Sequence, residues 1–314
     1  MRQRFKPPIT RPADFEAFWD STRQQLERQD PAVERAALGA QAPAGLIGEA
    51  VTFLSLGGVR IGASFIHWQD RASRPLVVYS HGYGGRCRPR WDWAARGLNV
   101  FGVDIRGCGR SRGALPNPSP RGYVLTGIET PETSVLRTAA CDYLQAARVA
   151  RQLLGEGVTR SVFQGVSFAG GLALMSAAVS GLADLLAVGV PTFGWAGGRH
   201  VFVKSGSGAE INRYLEERPE QLEDVMLVLR YFDTVNFATR VQCPALVGIG
   251  LQDEVVPAKT VYGIANHLGG PYEIMEFPVS HTELPEERLW DRFEARWLEL
   301  ALHGIPDGFG GGKT

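Results

Sequence analysis

Val162-Phe163-Gln164-Gly165-Val166-Ser167-Phe168-Ala169-Gly170-Gly171 is the stretch that decides the fold of this chain. It reads as an apolar strand, a sharp turn with a serine at its apex, and the start of a helix. A serine held in such a turn has a strained backbone, so the residues two before and two after it must be small. Gly165 and Ala169 meet that demand, Ala169 standing where the pattern usually has Gly. The same letters also fit an ordinary glycine-bounded turn with a surface serine. The order of residues further along separates the two readings.

Pro244 to Gly250 is a short apolar run of the kind that forms a buried strand, and Asp253 follows it. Residues 272–279 alternate as a second strand, and His281 follows that. Ser167, Asp253 and His281 thus each sit past the carboxyl end of a strand, in the chain order of an α/β-hydrolase triad. Residues 75–80 form another strand, followed by His81-Gly82-Tyr83-Gly84-Gly85. Its glycines let main-chain N–H groups turn inward, and the N–H groups of Tyr83 and Phe168 are the expected oxyanion donors. Gly82 supports that loop. His81 is a rival base by composition, but its place inside the loop favours a bracing role.

The 314 residues can form one large core, and Lys plus Arg balances Asp plus Glu at 33 each. No net field favours nucleic acid or an anionic membrane, and neither is expected as a partner. The cluster Arg86, Arg88 and Arg90 reads as a solvated loop face. No secretory signal opens the sequence and no apolar run could span a bilayer, so a cytoplasmic protein is expected. Cys87, Cys108, Cys141 and Cys243 are scattered without the spacing of a zinc site or a disulfide framework. Neither metal nor cofactor is expected. Gly310 to Thr314 imitates the end of a phosphate loop but has no following helix, and Arg112 spoils the dinucleotide fingerprint that begins at Gly107.

The expected architecture is a single α/β-hydrolase domain over 1–314, with a mostly parallel twisted sheet and helices on both faces. Residues 1–30 form an N-terminal helical extension, with a helix over 12–28. Strands are expected near 49–56, 59–67, 75–80 and 97–104, the first two joined by the hairpin signal Gly57-Gly58. Residues 105–136, rich in Gly and Pro, form a long interface or entrance loop. A helix follows over 138–154, residues 172–180 continue the helix that starts after Ser167, and within a cap-like insertion at 192–240 helices are expected over 208–217 and 219–231. A last amphipathic helix spans roughly 285–303, and 304–314 is a flexible tail.

With these residues in place, the chain resembles the acetyl xylan esterase and cephalosporin-C deacetylase group, carbohydrate esterase family seven. The matching positions run from Asp14-Phe15 and Phe18-Trp19 through His81-Gly82-Tyr83, Asp104, Arg106-Gly107, Thr126-Gly127-Ile128 and the Ser167 turn. They continue through Tyr231-Phe232-Asp233, Asn236, Gly250-Leu251, Asp253, Pro257 and His281. The resemblance implies deacetylation of small acetylated sugars and of cephalosporin esters. It also implies a metal-free triad and a ring-like homo-hexamer, with the region near 112–136 narrowing the entrance.

The chain departs from the family at Cys108 (for Gln), Phe168-Ala169 (for Gln-Gly) and Thr282 (for Glu). Phe168 in place of Gln makes an apolar pocket wall and a shifted acyl or alcohol preference the expectation. Arg106 is expected to brace the loops around the site in preference to touching substrate. Asp233 and Glu254 are the candidate acids should Asp253 fail, and Asp233 reads more simply as a structural turn or helix cap. Two alternatives stand beside the deacetylase: a general short-chain carboxylesterase of unrelated small esters, and a non-catalytic scaffold or binding protein of the same fold.

Overall fold

The computed structural model describes residues 4–39, 41–281 and 289–310. Nine strands form one sheet: β1 Glu34–Ala37, β2 Leu46–Ser55, β3 Val59–Trp68, β4 Arg74–Ser80, β5 Asn99–Val103, β6 Val158–Val166, β7 Leu185–Gly189, β8 Ala245–Gly250 and β9 Tyr272–Phe277. The helices are α1 Phe15–Arg28, α2 Trp91–Ala94, α3 Val135–Leu154, α4 Phe168–Ser180, α5 Ala196–Phe202, α6 Gly206–Glu217, α7 Leu222–Arg230, α8 Thr234–Ala238, α9 Ala258–Ala265 and α10 Leu289–His303. The strand order is β1-β2-β3-β5-β4-β6-β7-β8-β9. The pairs from β1 to β5 by way of β3 are antiparallel, and those from β5 through β4 to β9 are parallel. The chain therefore reverses direction across the sheet at β4. In open α/β sheets the crevice at such a switch point, outside the carboxyl ends of the strands, is where ligands bind.

Strand alternation divides the core into two layers. Val78, Phe101 and Phe163 face a cluster with Phe15, Trp19 and Tyr143, whereas Val77, Val100 and Val162 face a second one with Trp93, Phe293 and Trp297. Each large side chain so buried stabilises the fold by about 1.5–3 kcal/mol. The extension joins the first layer, where the indole N–H of Trp19 donates to the Tyr231 carbonyl at 3.0 Å.

The hairpin at Gly57-Gly58 forms as its residues predict, both glycines taking positive φ. The strand β7 is additional to the sequence reading, although its five continuously buried residues form a short apolar run of the same kind as β8. The edge strand β1 is also additional, all four residues being exposed. Helix α4 begins at Phe168, directly after the serine as the turn reading requires, and α3 begins at Val135, three residues before the expected start, where the Ser134 hydroxyl accepts from the Leu136 N–H at 3.3 Å. Residues 304–310 correct the expectation of a free tail, for Ile305 and Phe309 pack against the second core layer. Residues 285–288 of the predicted last helix and 311–314 of the tail lie outside the described residues.

At the strand-to-helix turn, a Cβ built on Gly165 would lie 2.3 Å from the carbonyl carbon and oxygen of Ala169. Gly165→Ala is expected to force α4 away from β6 and to destabilise the protein by about 1–3 kcal/mol in urea unfolding, with activity falling alongside.

Candidate active site

Ser167 adopts φ 58° and ψ −119°, outside the regions a side-chain-bearing residue ordinarily occupies. Three main-chain bonds hold it there. Its N–H donates to Gly189 O at 2.9 Å, and its carbonyl accepts from Gly171 N–H at 3.1 Å and Thr192 N–H at 3.2 Å. The turn thus extends the β6–β7 pairing by one residue and starts α4 at once. Phe168 N–H opens that helix, and Tyr83 N–H lies in the turn after β4. Neither has an acceptor among the described residues, as befits donors at a helix start and in a glycine loop.

The other two residues are registered by the same means. Past the ends of β8 and β9, Leu251 N–H donates to Phe277 O at 2.8 Å and Gln252 N–H to Val279 O at 3.1 Å. This ties the loop carrying Asp253 to the one carrying His281. His281 Nδ1 lies 2.8 Å from Asp253 Oδ2; a carboxylate only accepts, so Nδ1 carries the proton and Nε2 is left as the basic nitrogen. The other oxygen, Oδ1, accepts from the N–H groups of Val255 and Val256, both at 2.8 Å. The Asp253 carboxylate has no exposed surface, whereas the His281 ring is 23% exposed. Such an arrangement fixes the tautomer and plane of an imidazole that substrate can still reach.

His81 sits where a brace should. Its Nδ1 donates to Gly82 O at 2.8 Å and its Nε2 accepts from Ile105 N–H at 3.1 Å. Burial lowers its pKa and keeps the ring neutral. Gly82 also accepts from Gly85 N–H at 2.9 Å, so its contribution is the carbonyl that closes the turn. Arg106 is buried and bound to Asp142 on α3: Nε to Oδ2 at 2.9 Å and Nη2 to Oδ1 at 2.7 Å. Its Nη2 also donates to Leu56 O at 3.1 Å. Nε and Nη2 are engaged inside the protein and the side chain is almost wholly buried, so Arg106 braces the loop after β5. Asp233 caps α8 through Val235 N–H at 3.0 Å and also accepts from Trp195 and Ala196 N–H. Burial pushes its pKa up to about 6 despite these donors.

Phe168 corrects one expectation. Its ring is 2% exposed and enclosed by Tyr83, Tyr123 and Phe193, with centroids 5.5, 5.9 and 5.8 Å away. The ring is a core group, which removes the physical reason for expecting it to form an apolar pocket wall and alter acyl preference. Thr282 lies outside the described residues. Two residues absent from the sequence reading matter here. Asp142 is an acid among mostly apolar buried residues of α3, which is the signal for a buried partner. Glu210, which accepts from the Tyr83 hydroxyl at 2.5 Å, carries no such signal on its polar helix. No group of three or more His, Cys, Asp or Glu side chains is placed to hold a metal among the described residues, and none of their helices is long and apolar enough to cross a membrane.

A parallel sheet with antiparallel leading strands, a strained serine between β6 and α4, and an Asp–His pair past the last two strands define an α/β-hydrolase. The comparisons narrow the class. A model of the acetyl xylan esterase (AXE1) family matches residues 2–294, and the chain belongs to that family. The acetyl xylan esterase from Paenibacillus sp. R4 superposes with a TM-score of 0.87 at 26% identity, covering 96% of this chain and 98% of that one. Acetyl xylan esterase 1 from Thermoanaerobacterium sp. JW/SL YS485 shares the fold, with a TM-score of 0.86 at 22% identity over 95% and 96% of the two chains. Acetyl esterase Axe7A of Xylanibacter ruminicola is 26% identical over 167 residues, 51% of this chain and 35% of its own length. The match thus spans about a third of that relative.

Two outcomes follow from the braces. Arg106→Met strands Asp142 in the core and is expected to cost about 3–5 kcal/mol of unfolding free energy, measured in urea. A histidine held neutral contributes its full stability above the unfolded value of 6.5 and loses it as pH falls below that. Denaturant midpoints measured between pH 7.5 and 5 should therefore fall less in His81→Gln than in the wild type.

Proposed function

We propose that this chain is a serine esterase that removes acetyl and other short acyl groups from small acetylated carbohydrates, with cephalosporin-like acetyl esters as further substrates. The observation that carries the reading is the Asp253–His281 pair, its carboxylate locked by two main-chain donors at the sheet edge that also presents Ser167. In this reading His281 Nε2 takes the Ser167 proton as Oγ attacks the ester carbonyl, and Asp253 stabilises the imidazolium. The N–H groups of Tyr83 and Phe168 receive the oxyanion, each worth about 2.7–4 kcal/mol of transition-state stabilisation. His281 then protonates the leaving alcohol, and water repeats the sequence on the acyl-enzyme. No step calls on a cofactor.

Family membership and the 26% identical acetyl xylan esterase support the acyl group and the sugar class. Four free cysteines, three of them buried, are consistent with the cytoplasmic setting included in this reading. A homo-hexamer is likewise part of it, and the exposed Val201, Phe202 and Leu227 on the cap offer apolar surface for self-association.

Acetate release from acetylated xylo-oligosaccharides is expected from the wild type and should vanish in Ser167→Ala. Asp253→Asn should keep its melting curve while kcat falls roughly 10⁴-fold, the scale seen when a triad loses the acid that sets the tautomer. A folded wild type that releases no acetate and resists a fluorophosphonate label would establish the non-catalytic scaffold in its place.

A further inference from the structure

The loops that follow β4 and β5 enclose an open groove of about 1210 Å³. Gly107, Cys108 and Gly109 line it, and Arg86, Arg88, Arg110 and Arg112 edge it. Asp104 is its one acidic lining residue and is already committed. Fully buried, it accepts from Cys87 N–H at 2.6 Å and from Arg110 Nη1 at 3.0 Å. Arg86, Arg88 and Arg112 are exposed, and their side chains have no hydrogen-bond, ionic or ring partner among the described residues. Arg90, their neighbour in sequence, differs in pairing with Asp92 and Glu294. In a chain whose charges balance, this surplus is local.

The groove adjoins the candidate active site. Tyr83 lines it and also supplies the main-chain N–H assigned to the oxyanion. β4 pairs directly with β6, Tyr79 opposite Gln164. The strands β4 and β5 that lead into these loops lie one and two strand spacings, roughly 5–10 Å, from β6, which delivers Ser167.

We propose that this groove binds an anionic group, carboxylate or phosphate, carried on the alcohol portion of the ester. A guanidinium matches either anion in a two-pronged, charge-assisted contact. The groove is far larger than an acetyl group, which places the alcohol side there. This assignment rests on the esterase reading above and deepens it to acetylated saccharides that bear a negative charge.

The test compares three acetylated saccharides of equal length, one neutral, one carrying a uronate and one carrying a phosphate. At low salt kcat/KM for a charged substrate should exceed that for the neutral one about tenfold. The ratio should fall to one in about 1 M NaCl, where screening reaches ~3 Å, and in the triple variant Arg86→Gln/Arg88→Gln/Arg112→Gln. The triple Lys variant should restore part of it. Preference for uronate over phosphate, or the reverse, identifies which group the groove serves. A ratio of one for both charged substrates in the wild type, or a ratio that survives the Gln variant, overturns the proposal. Calorimetric titration with a deacetylated uronate saccharide and with inorganic phosphate makes the result independent of turnover. Binding that disappears in the Gln variant, with no ester hydrolysed, would keep the groove and remove the esterase reading; absence of binding to either overturns the groove.

Discussion

The approach of Gly165 to the first turn of α4 is the constraint on which the site depends. Only a residue without a side chain lets the helix begin immediately after Ser167, since a Cβ would sit 2.3 Å from the Ala169 main chain. At this turn Ser167 takes a φ of 58°, a strain of the order of 1–3 kcal/mol. A helix buried along nearly its whole length on the sheet sustains it. The strain has a use, because it leaves Phe168 N–H without an acceptor at the place where the serine is presented. Moving the helix start by one residue would remove both properties together.

Around this turn the loops are pinned by buried carboxylates. Asp104 joins the loop after β5 to the one after β4 through Cys87 N–H. Asp142 holds Arg106 from α3, Asp233 gathers the N–H groups at the root of the cap, and Asp253 orders its own loop before meeting His281. A buried carboxylate is costly unless donors surround it, so each one specifies a single loop conformation. Where donors are neutral N–H groups alone, as at Asp233, burial still wins and the pKa rises to about 6. Where an arginine fork is added, as at Asp142, the pair becomes an internal strut.

The positions that could be read from sequence were those where a local rule leaves one residue type. The spacing Gly165-Ser167-Ala169, the polar residues past apolar strands at 253 and 281, and the glycines at 57 and 58 are of that kind. Positions set by distant packing were not legible. Nothing on α6 points Glu210 toward a tyrosine 127 residues earlier. Phe168 shows the same limit inside the site. Its place after the serine is fixed by the turn, but the direction of its ring is set by Tyr83, Tyr123 and Phe193, which the chain brings from three separate segments.

Tyr83 belongs to two structures at once. Its hydroxyl donates to Glu210 on α6 and accepts from Val124 N–H in the entrance loop at 3.2 Å. Burial and the neighbouring carboxylate raise its pKa, so the phenol stays protonated and keeps donating. The main chain of the same residue supplies the donor assigned to the oxyanion. The 192–240 insertion, the 105–136 loop and the proposed oxyanion donor are therefore joined at one residue. In the proposed reading, a displacement that drew α6 away would also pull on the proposed oxyanion donor, which ties breadth of access to catalytic power in this scaffold.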